Sequence, residues 1–319
     1  MSPILAPLFS VLGIMLLGAV IQKLKILPSE TDQVLNQYVY YIAFPAIMLF
    51  ALAQTPIEEI LQWGFIAGYS IAMLITYLLV TFISLKINKA RSDIAAVRAL
   101  NTTFGNTAFI GIPLLAMIFP AQQSAFAAAA IASLLSVVVF AIVLVTLELY
   151  RGEKTQPPLI TVTQSLLQNP IVIGSAIGIT LSALQIELFN AISIMIKQIG
   201  MSSSPCALFA IGMVLAKARD SAKSPRSNPM GRFAELGWIN LCKLLIQPML
   251  AYILLSAFSI EGDYLIMGVI LASLPTAASV YLLAQRYQVQ AQVSAQAIVA
   301  GTLLSILTLP VIDALLRTR

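Results

Sequence analysis

The sequence predicts an all-α polytopic membrane protein of ten transmembrane helices, arranged as two inverted five-helix repeats. Three observations carry that prediction. Of 319 residues, 59% are hydrophobic and only 10% are charged, with a mean hydropathy of +0.93; a soluble domain is nearer one quarter charged. Apolar runs of about twenty residues recur from end to end, the length that a hydrocarbon core of about 30 Å demands. The third observation is a pair of polar breaks inside such runs. Asn101-Thr102-Thr103-Phe104-Gly105-Asn106-Thr107, closed by Gly111 and Pro113, has a weaker counterpart in Ser273-Leu274-Pro275-Thr276-Ala277-Ala278-Ser279.

The spans run over about 3–22, 34–53, 63–85, 95–118, 124–149, 166–185, 188–216, 236–258, 264–284 and 291–315. The first begins at Met1-Ser2-Pro3-Ile4 without a basic stretch, which reads as a retained helix and not a cleaved leader. Asn169-Pro170 reads as an N-cap followed by proline at the first helical position, opening span six. Gly64 and Gly68 in span three, and Gly174 and Gly178 in span six, are GxxxG pairs that predict close helix packing. Basic residues then orient the spans. Alternate loops hold Lys23 and Lys25; Lys86, Lys89, Arg91 and Arg98; Arg151 and Lys154; Lys217, Arg219, Lys223, Arg226 and Arg232; and Arg286, which is 14 of the 18 Lys and Arg. The opposite side has Arg317 and Arg319, while Lys197 and Lys243 fall within spans. This asymmetry predicts a cell inner-membrane protein with both termini outside the cytoplasm, and it explains the net charge of +5 without a nucleic-acid partner.

Five spans per half force the halves into opposite orientations. The expected organisation is a first repeat over 1–149, a cytoplasmic linker over 150–165 and a second repeat over 166–319. Pro45 answers Pro205, 160 residues on, and Gly105-Asn106 answers Pro275-Thr276, about 170 residues on. Paired interruptions at matching places in two halves are the sequence mark of a transporter binding site.

Chemistry is constrained by what the chain lacks. It has no histidine, and its two cysteines, Cys206 and Cys242, lie in apolar segments and read as inert packing. No metal set, cofactor motif or catalytic constellation is present, so an enzyme is not expected. Glu148, Glu235 and Asp313 sit near span ends and the other acids at boundaries or in loops, which argues against a cation exchanger built on a midplane carboxylate. The expected substrate-binding residues are Asn101, Thr103, Gly105, Asn106, Thr107, Gly111 and Pro113 in the first break, Pro275, Thr276 and Ser279 in the second, and Lys243. Amides and hydroxyls offer hydrogen bonds, glycine admits close approach, and the N-terminus of a resumed helix favours a carboxylate. Lys243 either snorkels to the interface near Trp238 or supplies positive potential for an anionic solute. Lys197 is expected at an interfacial or water-facing position.

Phe44-Pro45, the run Asn106-Thr107-Ala108-Phe109-Ile110-Gly111-Ile112-Pro113-Leu114, Asn169-Pro170, Lys243 with Pro248, and Leu274-Pro275 resemble the auxin efflux carrier family of secondary transporters, in its bacterial, malonate-transporter-like branch. The resemblance implies that spans four and nine cross at their breaks, with Asn106, Gly111, Pro113 and Pro275 as crossover positions. It implies a scaffold of spans one, two, six and seven, often homodimeric, beside a mobile transport unit. It also implies small organic acids as substrates. Plant members carry an acid and a lysine on span three, whereas Trp63 to Leu85 has no charged residue here. The expected function is therefore secondary transport of a small organic anion by alternating access, in the direction of efflux, with membrane lipid and a second copy of the chain, through spans one, two, six and seven, as the other partners. A sodium-coupled symporter of the bile-acid type and a non-transporting membrane sensor are the alternatives.

Overall fold

The computed structural model describes residues 5–119, 124–151, 160, 163, 164, 167, 168, 170–221 and 229–317. The expected start of span one at Pro3, the Asn169 cap, most of the 150–165 linker and the basic residues Lys154, Lys223, Arg226 and Arg319 lie outside them. Among the described residues the protein is helical, with no strand and one isolated β-bridge.

The helices are α1 (Leu5–Leu24), α2 (Thr31–Tyr38), α3 (Phe44–Gln54), α4 (Ile57–Ile60), α5 (Trp63–Phe82), α6 (Ser92–Thr103), α7 (Ile112–Ile118), α8 (Ser124–Arg151), α9 (Pro170–Ala183), α10 (Asn190–Met201), α11 (Ser203–Ser221), α12 (Pro229–Leu241), α13 (Gln247–Ala257), α14 (Gly262–Ala272), α15 (Ala278–Tyr287) and α16 (Ala291–Arg317). Among the described residues, six helical stretches are long and apolar enough to cross a membrane: Thr31–Gln54, Trp63–Ile87, Ala127–Tyr150, Asn190–Val214, Phe233–Ala257 and Ala291–Arg317. Leu12–Leu24, Pro170–Ala183 and Gly262–Ala272 are shorter apolar helices. Large apolar side chains point outward along the long helices, among them Leu74 and Leu78 of α5 and Leu303, Leu307 and Val311 of α16. A face of that kind suits lipid and not water.

Two of the long stretches, Thr31–Gln54 and Phe233–Ala257, carry a proline that a local device accommodates. π-helical turns occupy Val39–Ala43, Ile83–Ile87, Thr107–Gly111 and Cys242–Ile246. Three of them lead directly into Phe44-Pro45, Ile112-Pro113 and Gln247-Pro248, where proline is at the start of the next α-helical turn. Proline has no N–H to donate and its ring collides with the carbonyl four residues back. Those carbonyls belong to Tyr41, Phe109 and Leu244, all inside the π turns, and the wider turn removes the collision while keeping the helix continuous.

The chain forms two compact units, each drawn from both halves of the sequence. The first combines residues 1–62, 107–131 and 167–223. Its helices approach closely through glycine. A Cβ on Gly174 would lie 2.6 Å from the Pro45 carbonyl oxygen, and one on Gly178 would lie 2.8 Å from that of Leu49, so α9 packs directly on the α3 backbone. Gly18 on α1 and Gly212 on α11 would likewise strike the backbones of Phe209 and Met15. Tyr38 and Ser202 share a 2.8 Å hydrogen bond, and Lys217 pairs with Asp32 at 2.6 Å.

The second unit combines residues 63–106, 132–166 and 224–319. Gly64 and Gly68 of α5 meet Phe258 and Leu255, as the GxxxG spacing predicted. Ala96, Val97 and Leu100 of α6, Val143 and Leu147 of α8, and Val280, Leu283 and Ala284 of α15 form a buried apolar cluster. Burial of this kind fixes α6 and α15 side by side. It does so at the point where both are about to be needed.

Candidate functional site

α6 carries its polar end into the interior because its other face is apolar and most of its polar side-chain atoms are satisfied locally. The Thr102 and Thr103 hydroxyls both donate to the Ala99 carbonyl at 2.8 Å, and Asn101 Nδ2 donates to the Val97 carbonyl at 2.9 Å. Bonds of this sort give the polar side chains partners within the helix itself. Asn101, Thr102 and Thr103 therefore belong to the helix, and the interruption is narrower than the polar stretch implies: only Phe104, Gly105 and Asn106 leave the helical path. α14 ends in the same way at Ala272, where Ser273 donates its hydroxyl to the Val269 carbonyl at 2.6 Å, and α15 resumes at Ala278.

The two interruptions pair with each other. Gly105 and Thr276 form an antiparallel β-bridge. Asn106 N–H donates to the Pro275 carbonyl at 2.8 Å, and Ala277 N–H donates to the Phe104 carbonyl at 3.0 Å. The bonds flank the pair, so Gly105 and Thr276 form the closely spaced, non-hydrogen-bonded pair of an antiparallel ladder. Thr276 Oγ1 adds a bond to the Asn101 carbonyl at 2.7 Å. Pro275 suits the position because only its carbonyl is called on. Much of the main chain that the breaks release is thus bonded across the crossing and is not all left free for a solute.

Lys243 lies in the π turn before Pro248 and is 1% exposed. It does not snorkel. Its Nζ donates to Gln247 Oε1 at 2.6 Å and to the Ala272 carbonyl at 2.6 Å. Gln247 Nε2 in turn reaches the Thr103 carbonyl at 3.4 Å. A Cβ on Gly105 would stand 3.2 Å from the ammonium, so glycine is what lets the lysine reach the bridge. Gly301 of α16 makes similar room, since its Cβ would come within 2.7 Å of Asn240 Oδ1 and 3.5 Å of Pro275 Cβ. Asn101 Nδ2 also donates to Ser294 Oγ at 2.9 Å, while Asn101 Oδ1 is buried without a hydrogen-bond partner.

Of the residues expected to bind substrate, Asn101, Thr103, Gly105, Asn106, Lys243, Pro275 and Thr276 come together in the second unit. Ser279 is in the first turn of α15 and half-buried. Thr107, Gly111 and Pro113 belong to the first unit, where Thr107 and Gly111 bound the π turn and Pro113 is the second residue of α7. Gln247 and Ser294 were not expected. Gln247 had a signal, a carboxamide one helical turn beyond a lysine in an apolar span; Ser294, near the start of the last span, had none. Lys197 is exposed, with its Nζ 5.6 Å from the Phe50 ring, and Cys206 and Cys242 are both free thiols.

Three acids near this unit's helix ends are engaged elsewhere. Glu235 takes Arg98 Nε at 2.6 Å, Asp313 takes Arg317 at 2.9 Å, and Asp93 pairs with Arg91. The site is therefore electropositive, with one ammonium among neutral oxygens. Taking such a charge from water costs several kcal/mol unless something negative is gained. A bound carboxylate would supply that.

The chain matches the family model described as "Membrane transport protein" over residues 3–312. It is 27% identical over 313 residues to a protein of Rhizobium meliloti (strain 1021) named "Putative malonate transporter", a match that covers 96% of this chain and 93% of the relative.

Proposed function

This chain belongs to the membrane transport protein family, that of the auxin efflux carriers, and is a membrane transporter; we propose that its cargo is a small organic carboxylate of the malonate class, moved by alternating access. The observation that carries the reading is the buried Lys243 ammonium beside the Gly105–Thr276 bridge, held among the described residues by neutral oxygens. A carboxylate arriving there gains a charge-assisted hydrogen bond, and the uncapped first turn of α15 at Ala278 and Ser279 offers a partial positive charge to a second carboxylate group. Asn101, with its orphan buried oxygen, is suited to a hydroxyl or a protonated acid.

The architecture proposed for this carrier is ten spans in two inverted repeats, 1–149 and 166–319, with both termini on the non-cytoplasmic side. The six long apolar helices among the described residues are consistent with it. Spans four and nine are interrupted, so neither half of either reaches full length, and spans one and six adjoin residues outside the described set. Thr107, Gly111 and Pro113 then serve the crossover as the resumed half of span four, and a homodimer through spans one, two, six and seven is the assembly to test. A membrane potential of −100 mV favours exit of a monovalent anion by about 2.3 kcal/mol, so efflux is the direction that needs no coupled ion.

Counterflow of radiolabelled malonate in proteoliposomes tests the proposal. Saturable exchange, competed by other short carboxylates and not by amino acids or sugars, is expected. Binding of malonate without exchange would overturn transport of this class.

A further inference from the structure

Lys243 is among the largest fully buried side chains in the protein, and no carboxylate among the described residues pairs with it. What holds it is the end of a helix. Ala272 is the last residue of α14, so its carbonyl has no donor further along the helix and carries the negative end of the helix dipole. The second ligand, Gln247 Oε1, belongs to a carboxamide whose other end serves the Thr103 carbonyl, the last of α6. One ammonium and one carboxamide thus attend to the C-terminal carbonyls of both interrupted helices. The Leu271 carbonyl oxygen lies on the same side, 3.5 Å from where a Gly105 Cβ would be.

Carbonyls at the ends of broken helices are where carriers of this architecture hold a coupling ion. We propose that the Lys243 ammonium is a tethered cation filling such a site, so that the protein carries its own counter-charge and needs no sodium. A sodium-coupled mode would require the place that the ammonium occupies. Gly105 fits the same account: a Cβ there would stand 3.2 Å from the nitrogen, so a side chain presses on the ammonium where it meets the Ala272 carbonyl. The consequence for flux rests on the transport reading above, but the occupancy of the site does not.

The test is made on the purified full chain, by thermal unfolding in NaCl, ethylammonium chloride or choline chloride at equal ionic strength. Choline is too bulky for the site and has no N–H, whereas ethylammonium reproduces the lysine head group. Wild-type protein is expected to melt at the same temperature in all three. Lys243→Ala is expected to melt lower in choline and to recover by about 3 °C or more in about 100 mM Na⁺ or ethylammonium, the shift that ligand linkage gives for a weakly bound cation. Lys243→Met keeps the volume of the stem and is expected to recover less, because the stem blocks entry.

Stabilisation of the wild type by sodium over choline would overturn the proposal, as would a Lys243→Ala protein indifferent to all three salts. Should the variant be lost on extraction in choline, extraction in ethylammonium decides: recovery there supports the site, and loss in every salt overturns it. Malonate exchange by wild-type proteoliposomes is expected to be equal in sodium and choline. Absence of any malonate exchange would remove the cargo assignment and leave the melting comparison standing.

Discussion

Pro248 and Pro275 lie in the same compact unit, yet the chain treats them differently. Before Pro248 the helix widens into the π turn Cys242–Ile246 and continues as α13. Before Pro275 the helix stops. Proline alone therefore does not break a helix here; a π turn is enough to absorb its missing donor and its ring. A true interruption needs another piece of main chain to take up the released groups. At Pro275 that piece is Phe104-Gly105-Asn106, which accepts from Ala277 and donates to Pro275. Neither interruption would stand by itself, because backbone groups without partners each cost several kcal/mol in an apolar setting.

Three substitutions separate the two behaviours. The largest effect is expected from Gly105→Val, which crowds the ammonium 3.2 Å from the new Cβ and the bridge beside it. Overpacking of this kind costs about 1–3 kcal/mol, and malonate exchange is expected to fall by at least about 100-fold as the lysine is displaced by the order of 1 Å. Thr276→Val comes next. It preserves shape but leaves the buried Asn101 carbonyl without its 2.7 Å bond, a loss of about 1–3 kcal/mol that thermal unfolding reads as a drop of several degrees. Pro248→Ala is the smallest. The π turn is no longer obligatory and the helix regains a donor, so stability is expected to change by less than about 1 kcal/mol, with exchange within about threefold of wild type.

Much of this was legible in the sequence. Gly105, Asn106 and Pro275 mark the crossing, and Lys243 and Pro248 mark the helix that faces it. The extent of the first break was not legible, because Asn101, Thr102 and Thr103 satisfy themselves by back-bonding to Val97 and Ala99. Composition cannot tell a polar helix end from a polar loop when each side chain has a partner three or four residues behind it. Nor does the sequence reveal that the breaks bond to each other, since the pairs 104–277 and 106–275 are remote along the chain. The expectation that broken helices leave their dipoles and amides bare is accordingly narrowed: the bridge consumes part of the main chain, and the side chains of Lys243 and Gln247 cover the helix ends.

The same comparison exposes the role of small residues. In the first unit Gly174 and Gly178 serve packing, with α9 lying against α3 through them. In the second, Gly105 and Gly301 make room for Lys243 and for Asn240 beside Pro275. A glycine that admits a polar side chain is a different signal from one that admits a backbone, and spacing does not distinguish them.

Oxidative cross-linking of Gly105→Cys with Thr276→Cys, in a background where Cys206 and Cys242 are replaced by serine, tests the crossing most directly. A non-hydrogen-bonded antiparallel pair has its Cα atoms about 4.5 Å apart, within reach of a disulfide. Mild oxidation in the membrane is expected to link peptides 105 and 276 nearly completely, as read by mass spectrometry, and reduction is expected to reverse it. Two thiols that remain free under oxidation sufficient to link a control pair in α9 and α3 would contradict the meeting of the two interrupted helices.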